Sequence, residues 1–399
     1  DLTLRVGGSQ ETRQGGGLGT FIEVLNDGER RAFSESILSR RLETSLSFEH
    51  RFRNDMELRI TGSYVAHHQD SDYEEEVYNA MQHIAYADAH LVAPLHDRYE
   101  LVVGASLRIE FLDENLAINE YTYAMTGVYV QGDWHITDWL EFLHGVRFDY
   151  HNEYGTAPTG VTPRASLRAS ATDWLTLRLT GGTAFRAPTT FYEYAHGVRP
   201  EGYRLHQDTD SVESSAGVSF SADFDFGRVF GAGLNLSYNR VNDPISVEIV
   251  EADEGEQRAG DMLVYNVDGH MDVVSFEAEA RTRPVHWFGA TLGYSYSYYD
   301  DQGGALVAAP AEHHITASLE FNLDRWWGPR FSIMADIYSP MALESVYGAG
   351  YNLRPEGEVP QELSSWLDPL NADLDNPKRT RSPWYATINL RIEQRIYRG

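Results

Sequence analysis

Residues 287–298 sort their side chains by parity. Phe288, Ala290, Leu292, Tyr294, Tyr296 and Tyr298 fall on one side of an extended chain, and Gly289, Thr291, Gly293, Ser295 and Ser297 on the other. A period of two marks a β-strand whose faces meet different media. The same split runs through 101–111, where Leu101, Val103, Ala105, Leu107, Ile109 and Phe111 oppose Gly104, Ser106, Arg108 and Glu110. It recurs in 175–179, 230–238 and 384–393, and a helical pattern is confined to a short turn near Phe33–Leu38. The chain is predicted to be all-β.

Such runs mark about sixteen strands of roughly 9–14 residues, most of them longer than globular strands. They lie near 1–8, 41–53, 56–68, 82–95, 99–112, 121–136, 139–151, 161–171, 174–186, 211–224, 229–241, 263–282, 286–299, 312–324, 329–339 and 383–397. The connections alternate strictly between two kinds. Short ones fall at Asn54-Asp55, His96–Arg98, Thr137-Asp138, Thr172-Asp173, Asp225–Arg228, Arg283–Val285 and Asp324–Gly328. Long ones fall at 9–40, 69–81, 113–120, 152–160, 187–210, 242–262, 300–311 and 340–382. This alternation is that of a transmembrane antiparallel up-and-down β-barrel with tight periplasmic turns and long extracellular loops. By that count both visible chain ends are expected on the periplasmic side.

Aromatic placement agrees. Trp134, Trp139, Trp174, Trp287, Trp326 and Trp327 sit beside short turns, while Tyr150, Tyr238, Tyr298, Tyr299 and Tyr338 sit at the opposite strand ends. Amphipathic rings gather at the two membrane–water interfaces, so two belts are expected. A barrel also reconciles a mean hydropathy of −0.43 with a membrane location. Only alternate residues meet lipid, leaving Arg108, Glu110, Arg147, Asp149, Arg178, Arg391 and Glu393 for a wet lumen. The net charge of −28 argues against nucleic acid as a partner. The absence of cysteine excludes disulfide frameworks, thiolate metal sites and cysteine nucleophiles. With 42% hydrophobic residues, the chain has enough apolar surface to fold.

Within 161–300 the order of several motifs resembles the barrel of a TonB-dependent receptor. Thr162-Pro163-Arg164-Ala165-Ser166-Leu167 opens a descending strand, Thr172-Asp173-Trp174 turns, and the next strand ends in Phe185-Arg186-Ala187-Pro188-Thr189. Val212-Glu213-Ser214-Ser215, Tyr238–Ile245 and the stretch from Asn266 to Phe276-Glu277 follow in the family's order. The resemblance implies an outer-membrane importer whose loops and lumen bind a scarce nutrient such as a siderophore, vitamin, metal chelate, glycan or peptide. It implies a plug domain, a TonB complex that pulls on it, and room for a lipoprotein subunit. It also implies a 22-stranded barrel, so residues 1–399 are expected to be the central barrel part of a longer chain, lacking about four strands and a plug on one side and about two strands on the other.

Physical chemistry reads the Phe-Arg-Ala-Pro run as structural first, because proline suits the place where a strand leaves a sheet. Arg186 lies in phase with Arg178 on the lumen side and could clamp a carboxylate or a ligand anion. The loop 187–210 crowds Tyr192, Tyr194, His196, Arg199, Tyr203, Arg204 and His206 into a short span, and with Arg186 these are the candidate ligand-binding residues. His67-His68 and the acids Asp70–Glu76 match no metal-loop spacing and read as a solvated tip. No Gly-x-Ser-x-Gly, His-Glu-x-x-His or phosphate-loop motif is present, so neither catalytic residues nor cofactors are expected. A passive sixteen-stranded porin competes with the receptor reading, and a soluble β-sandwich adhesin competes less well.

Overall fold

The structure is a computed structural model, described for residues 1–16, 34–73, 76–115, 121–154, 160–188, 205–250, 262–301, 311–323, 328–341 and 383–394. Its strands are β1 (Leu2–Gly16), β2 (Ser34–Arg51), β3 (Glu57–Tyr73), β4 (Glu76–His96), β5 (Tyr99–Glu114), β6 (Tyr121–His135), β7 (Leu140–His151), β8 (Val161–Thr172), β9 (Leu175–Arg186) and β10 (Leu205–Asp208). They continue as β11 (Glu213–Asp225), β12 (Phe230–Asn242), β13 (Ile245–Ile249), β14 (Met262–Asn266), β15 (His270–Val285), β16 (Phe288–Asp301), β17 (His313–Asn322), β18 (Arg330–Tyr338) and β19 (Tyr385–Glu393). Sixteen of them form one meander in which every neighbour in sequence is an antiparallel neighbour in space, apart from β10, β13 and β14, which form a second, three-stranded sheet. Among the described residues no ladder joins β1 to β19.

Register turns the period-two pattern into two surfaces. Leu177, Ala222, Leu234, Ala278, Tyr294, Ile315, Ile337 and Ala386 stand in one paired row across eight strands. The adjacent row is Arg178, Ser221, Asn235, Glu277, Ser295 and His314. Leu234, Leu292 and Ile388 are exposed on the apolar surface, as a lipid-facing wall requires. On β5 that surface runs from Leu101 to Phe111 before reaching Asp113. At about 3.3 Å per residue and a tilt of about 40°, this run rises about 25 Å, the height of a barrel's lipid-facing band.

At the short-turn rim the described tryptophans stand as expected, Trp326 and Trp327 lying outside the described residues, and at the other rim the tyrosines do so only partly. Trp134, Trp139, Trp174 and Trp287 are exposed beside short turns, and Tyr150, Tyr238 and Tyr298 are exposed near the far strand ends. Tyr299 and Tyr338 instead share the polar face, where Tyr338 stacks on His314 at 4.3 Å between ring centres.

Three sequence expectations are corrected. The helical turn near Phe33–Leu38 gives way to strand from Ser34 onward. The single strand expected over 263–282 is two, β14 in the small sheet and β15 in the large one. The expected loops 9–40 and 69–81 are shortened by strands that run well past the apolar band; β4 alone has 21 residues. Asp70 and Asp72 are therefore part of a paired ribbon, with Asp72 exposed on it, while Glu74 and Glu75 lie outside the described residues. Gln69, Ser71, Tyr78 and Ala80 are buried on the polar side of this ribbon, beside Ile37 and Leu112, and their burial holds the strands together where lipid no longer does.

The face assignment predicts unequal penalties for arginine at neighbouring positions. Leu292→Arg should destabilise the barrel by about 2–4 kcal/mol if the site lies near mid-bilayer, and Thr291→Arg by much less. Equal losses in reversible unfolding from lipid vesicles would contradict the two-surface description.

Candidate functional site

The polar face of β4–β7 is built from acid–base pairs two residues apart on one strand, a spacing that places both members on the same side. On β5, Arg108 Nη2 donates to Glu110 Oε2 at 2.5 Å. Glu110 also accepts from Gln82 Nε2 at 2.8 Å and from the Tyr121 hydroxyl at 2.7 Å, and it is only 4% exposed. On β7, Arg147 Nε lies 2.8 Å from both oxygens of Asp149, which is 3% exposed, and Arg147 Nη2 donates to Ser106 Oγ at 2.7 Å. Each nearly buried carboxylate is thus satisfied by a guanidinium, the condition under which such a charge is tolerated.

Aromatic groups lock the arginines in place. The Tyr129 ring lies under Arg147, with the guanidinium carbon 5.6 Å from the ring centre, and the Tyr129 hydroxyl donates to Asp88 Oδ2 at 3.0 Å. Asp88 also meets His90 Nδ1 at 2.7 Å. Tyr129 reaches across Gly104, where any Cβ would collide with its ring and with His90. Nearer the long-connection end, Tyr121 stacks on Tyr123 at 4.2 Å, and Tyr123, His151 and Tyr154 continue the aromatic chain at 4.9 and 5.2 Å. Of these, Tyr123 and His151 border a recess of about 560 Å³ whose walls also include Tyr86, Arg108, Arg147 and Arg186. That size suits a small ligand. Its chemistry is aromatic faces with fixed guanidinium and imidazole groups, suited to binding rather than to bond cleavage.

Of the candidates read from sequence, Arg186 lines this recess. Its Nη2 donates to Glu213 Oε2 at 3.2 Å, and the same oxygen accepts the Ile245 backbone N–H at 3.1 Å. Arg186 therefore braces the root of the small sheet. His206 lies on β10, which runs parallel to β14 and pairs it with Leu263. Tyr192, Tyr194, His196, Arg199, Tyr203 and Arg204 lie outside the described residues. The small sheet joins the β9–β11 connection to the β12–β15 connection, and Tyr154 OH meets Thr209 Oγ1 at 3.2 Å to tie it to the β7–β8 connection. Tyr86, Tyr123 and His151 were not singled out by sequence reasoning. The signal available for the recess was the Arg-x-Glu and Arg-x-Asp spacing in Arg108–Glu110 and Arg147–Asp149.

Removing one partner of a buried pair strands the other. Asp149→Asn should therefore cost about 1–3 kcal/mol, and adding Arg147→Gln should recover part of the loss. A double variant that loses the full sum of both single effects in denaturant titration would show that the two side chains do not act as a unit.

The family model for TonB dependent receptor-like β-barrels matches residues 4–398. No curated protein matches the sequence. Among solved structures, the chain resembles the FrpB iron transporter of Neisseria meningitidis, with 12% identity, a TM-score of 0.69, and coverage of 99% of this chain and 62% of that one. It resembles the siderophore receptor PirA of Pseudomonas aeruginosa, with 13% identity, a TM-score of 0.64, and coverage of 86% and 67%. It also resembles PirA of Acinetobacter baumannii, with 13% identity, a TM-score of 0.66, and coverage of 98% and 64%. The chain spans about two thirds of the length of these structures or slightly less. At such identities the likeness is one of fold, while the family match spans nearly every residue. The chain belongs to the TonB-dependent receptor-like β-barrel family, whose members are outer-membrane receptors and transporters rather than enzymes.

Proposed function

We propose that this chain forms the barrel wall of an outer-membrane importer that captures an iron chelate at its long-connection end. The observation that carries this reading is the recess at the long-connection end of β4–β9. It combines stacked aromatic rings with arginines held by buried carboxylates, on the polar side of an apolar wall. Stacked rings and fixed guanidinium groups suit a rigid chelate bearing oxygen ligands, because both present their contacts with little ordering cost. The named functions of PirA and FrpB favour iron among the nutrients the family resemblance allows. Transport through the lumen would be driven by TonB acting on a plug domain, within a barrel of about 22 strands. The long connections, including residues 189–204, would complete the capture surface, and a lipoprotein subunit remains a candidate partner.

In the full-length protein, a deletion of residues 190–208 should weaken binding of a ferric chelate while leaving the barrel folded, since it removes β10 and spares the large ladder. Within the recess, Tyr123→Ala and Arg186→Ala should act unequally, with one or two groups carrying most of the affinity. Binding measured on purified protein, and uptake measured in cells with and without the inner-membrane energising complex, test the proposal. Uptake that persists without energisation and scales with solute size would favour a passive pore. Unchanged affinity in the deletion and in both recess variants would move the capture site elsewhere.

A further inference from the structure

Glu110 stands directly opposite Tyr123 across the β5–β6 ladder, at the back of the recess at the long-connection end, and is nearly fully buried. Side chains from three strands converge on its two oxygens. Arg108 of β5 donates to Oε2, while Gln82 of β4 and Tyr121 of β6 both donate to Oε1. An ionised carboxylate only accepts, so it can satisfy all three donors at once.

Two of these donors lead to the recess. Arg108 lines it directly, with nearly half of its side chain exposed while the acid that holds it is buried. Tyr121 acts at one remove. Its hydroxyl is tied to Glu110, and its ring lies against Tyr123 at 4.2 Å with 15° between the planes. The wall ring Tyr123 is thus backed by a ring that cannot swing without breaking that bond. Asp149, the buried acid on β7, differs in that its carboxylate holds Arg147.

We propose that Glu110 is the positioning residue of this recess, one carboxylate that sets its cationic and its aromatic wall together. The inference rests on the reading of the recess as the capture site. A ring and a guanidinium held in fixed relation need no further ordering when a ligand arrives; released, each must be ordered again, and the cost falls on affinity. Its partners are side chains of β4, β5 and β6, so the positioning is complete within the wall and does not depend on what fills the lumen beyond.

The test uses full-length protein in detergent with fluorotyrosine at position 123, followed by fluorine NMR, and the ferric complexes of citrate and of catechol as binding probes. Glu110→Gln puts a donor where three donors converge. It should shift or split the Tyr123 signal before any probe is added and weaken binding about tenfold or more. Tyr121→Phe removes only the hydroxyl and should act in the same direction, by about threefold. Because Tyr121 acts through Glu110, the double variant should bind no more weakly than Glu110→Gln alone. Asp138→Asn, on an exposed turn and paired with Arg98, should leave signal and affinity unchanged. Heat-modifiable migration on gels reports folding, and if Glu110→Gln does not fold, the Tyr123 signal in Tyr121→Phe decides. An unmoved signal in the folded variants, or additive losses in the double, would overturn the positioning role. A moved signal with unchanged affinity for both complexes would count against the recess as the capture site and leave the positioning of its walls standing.

Discussion

A main chain crossing hydrocarbon finds no water to bond, so every backbone N–H and C=O must be satisfied within the wall. The long antiparallel ladders meet that demand between β1 and β19, leaving only the outer edges of those two strands without a ladder among the described residues, and they also fix register. Once register is fixed, parity determines which side chain meets lipid and which meets the lumen. The exposed leucines and isoleucines, the rows of serine and threonine opposite them, and the lumenal ion pairs all follow from that one requirement.

The lumenal face is not uniform. On β4–β8, large tyrosines and arginines interlock around buried acids and build relief; on β11–β17, serine, threonine, glycine and asparagine dominate the middle of the wall. Long polar side chains are costly to hold unless paired, which is why the bulky half is also the half rich in same-strand acid–base pairs. The mouth recess sits in the bulky half, at the long-connection end of the strands.

The wall was legible in the sequence because a strict physical period generates it. All sixteen strands of the large sheet were located, and the apolar parity of Leu234, Leu292 and Ile388 was read correctly. Strand ends were less legible in β1–β4, where the outward face turns polar at Arg40, His68 and Asp70 and hydropathy no longer separates strand from loop. There, pairing continues because neighbouring strands continue, a non-local cause. The small sheet was missed for a similar reason: β10 is four residues long and exists only because β14, more than fifty positions later, lies beside it. The recess was half legible. Its arginines and acids announce themselves by spacing, but its aromatic members come together only across strands.

If the long-connection end faces outward, as the proposed function has it, the β3–β4 ribbon has a consequence for whatever meets the cell from outside. Seventeen consecutive residue pairs join its two strands, and only two residues link Tyr73 to Glu76. A protease needs a stretch of slack chain to thread its cleft, and nicking concentrates where backbone is unpaired. An antibody or a phage fibre approaching this side would meet a stiff, acidic blade whose main chain is already committed to its neighbours. Change there must come through side-chain substitution, since a one-residue insertion would turn the blade's buried tyrosine and serine outward and its aspartates in.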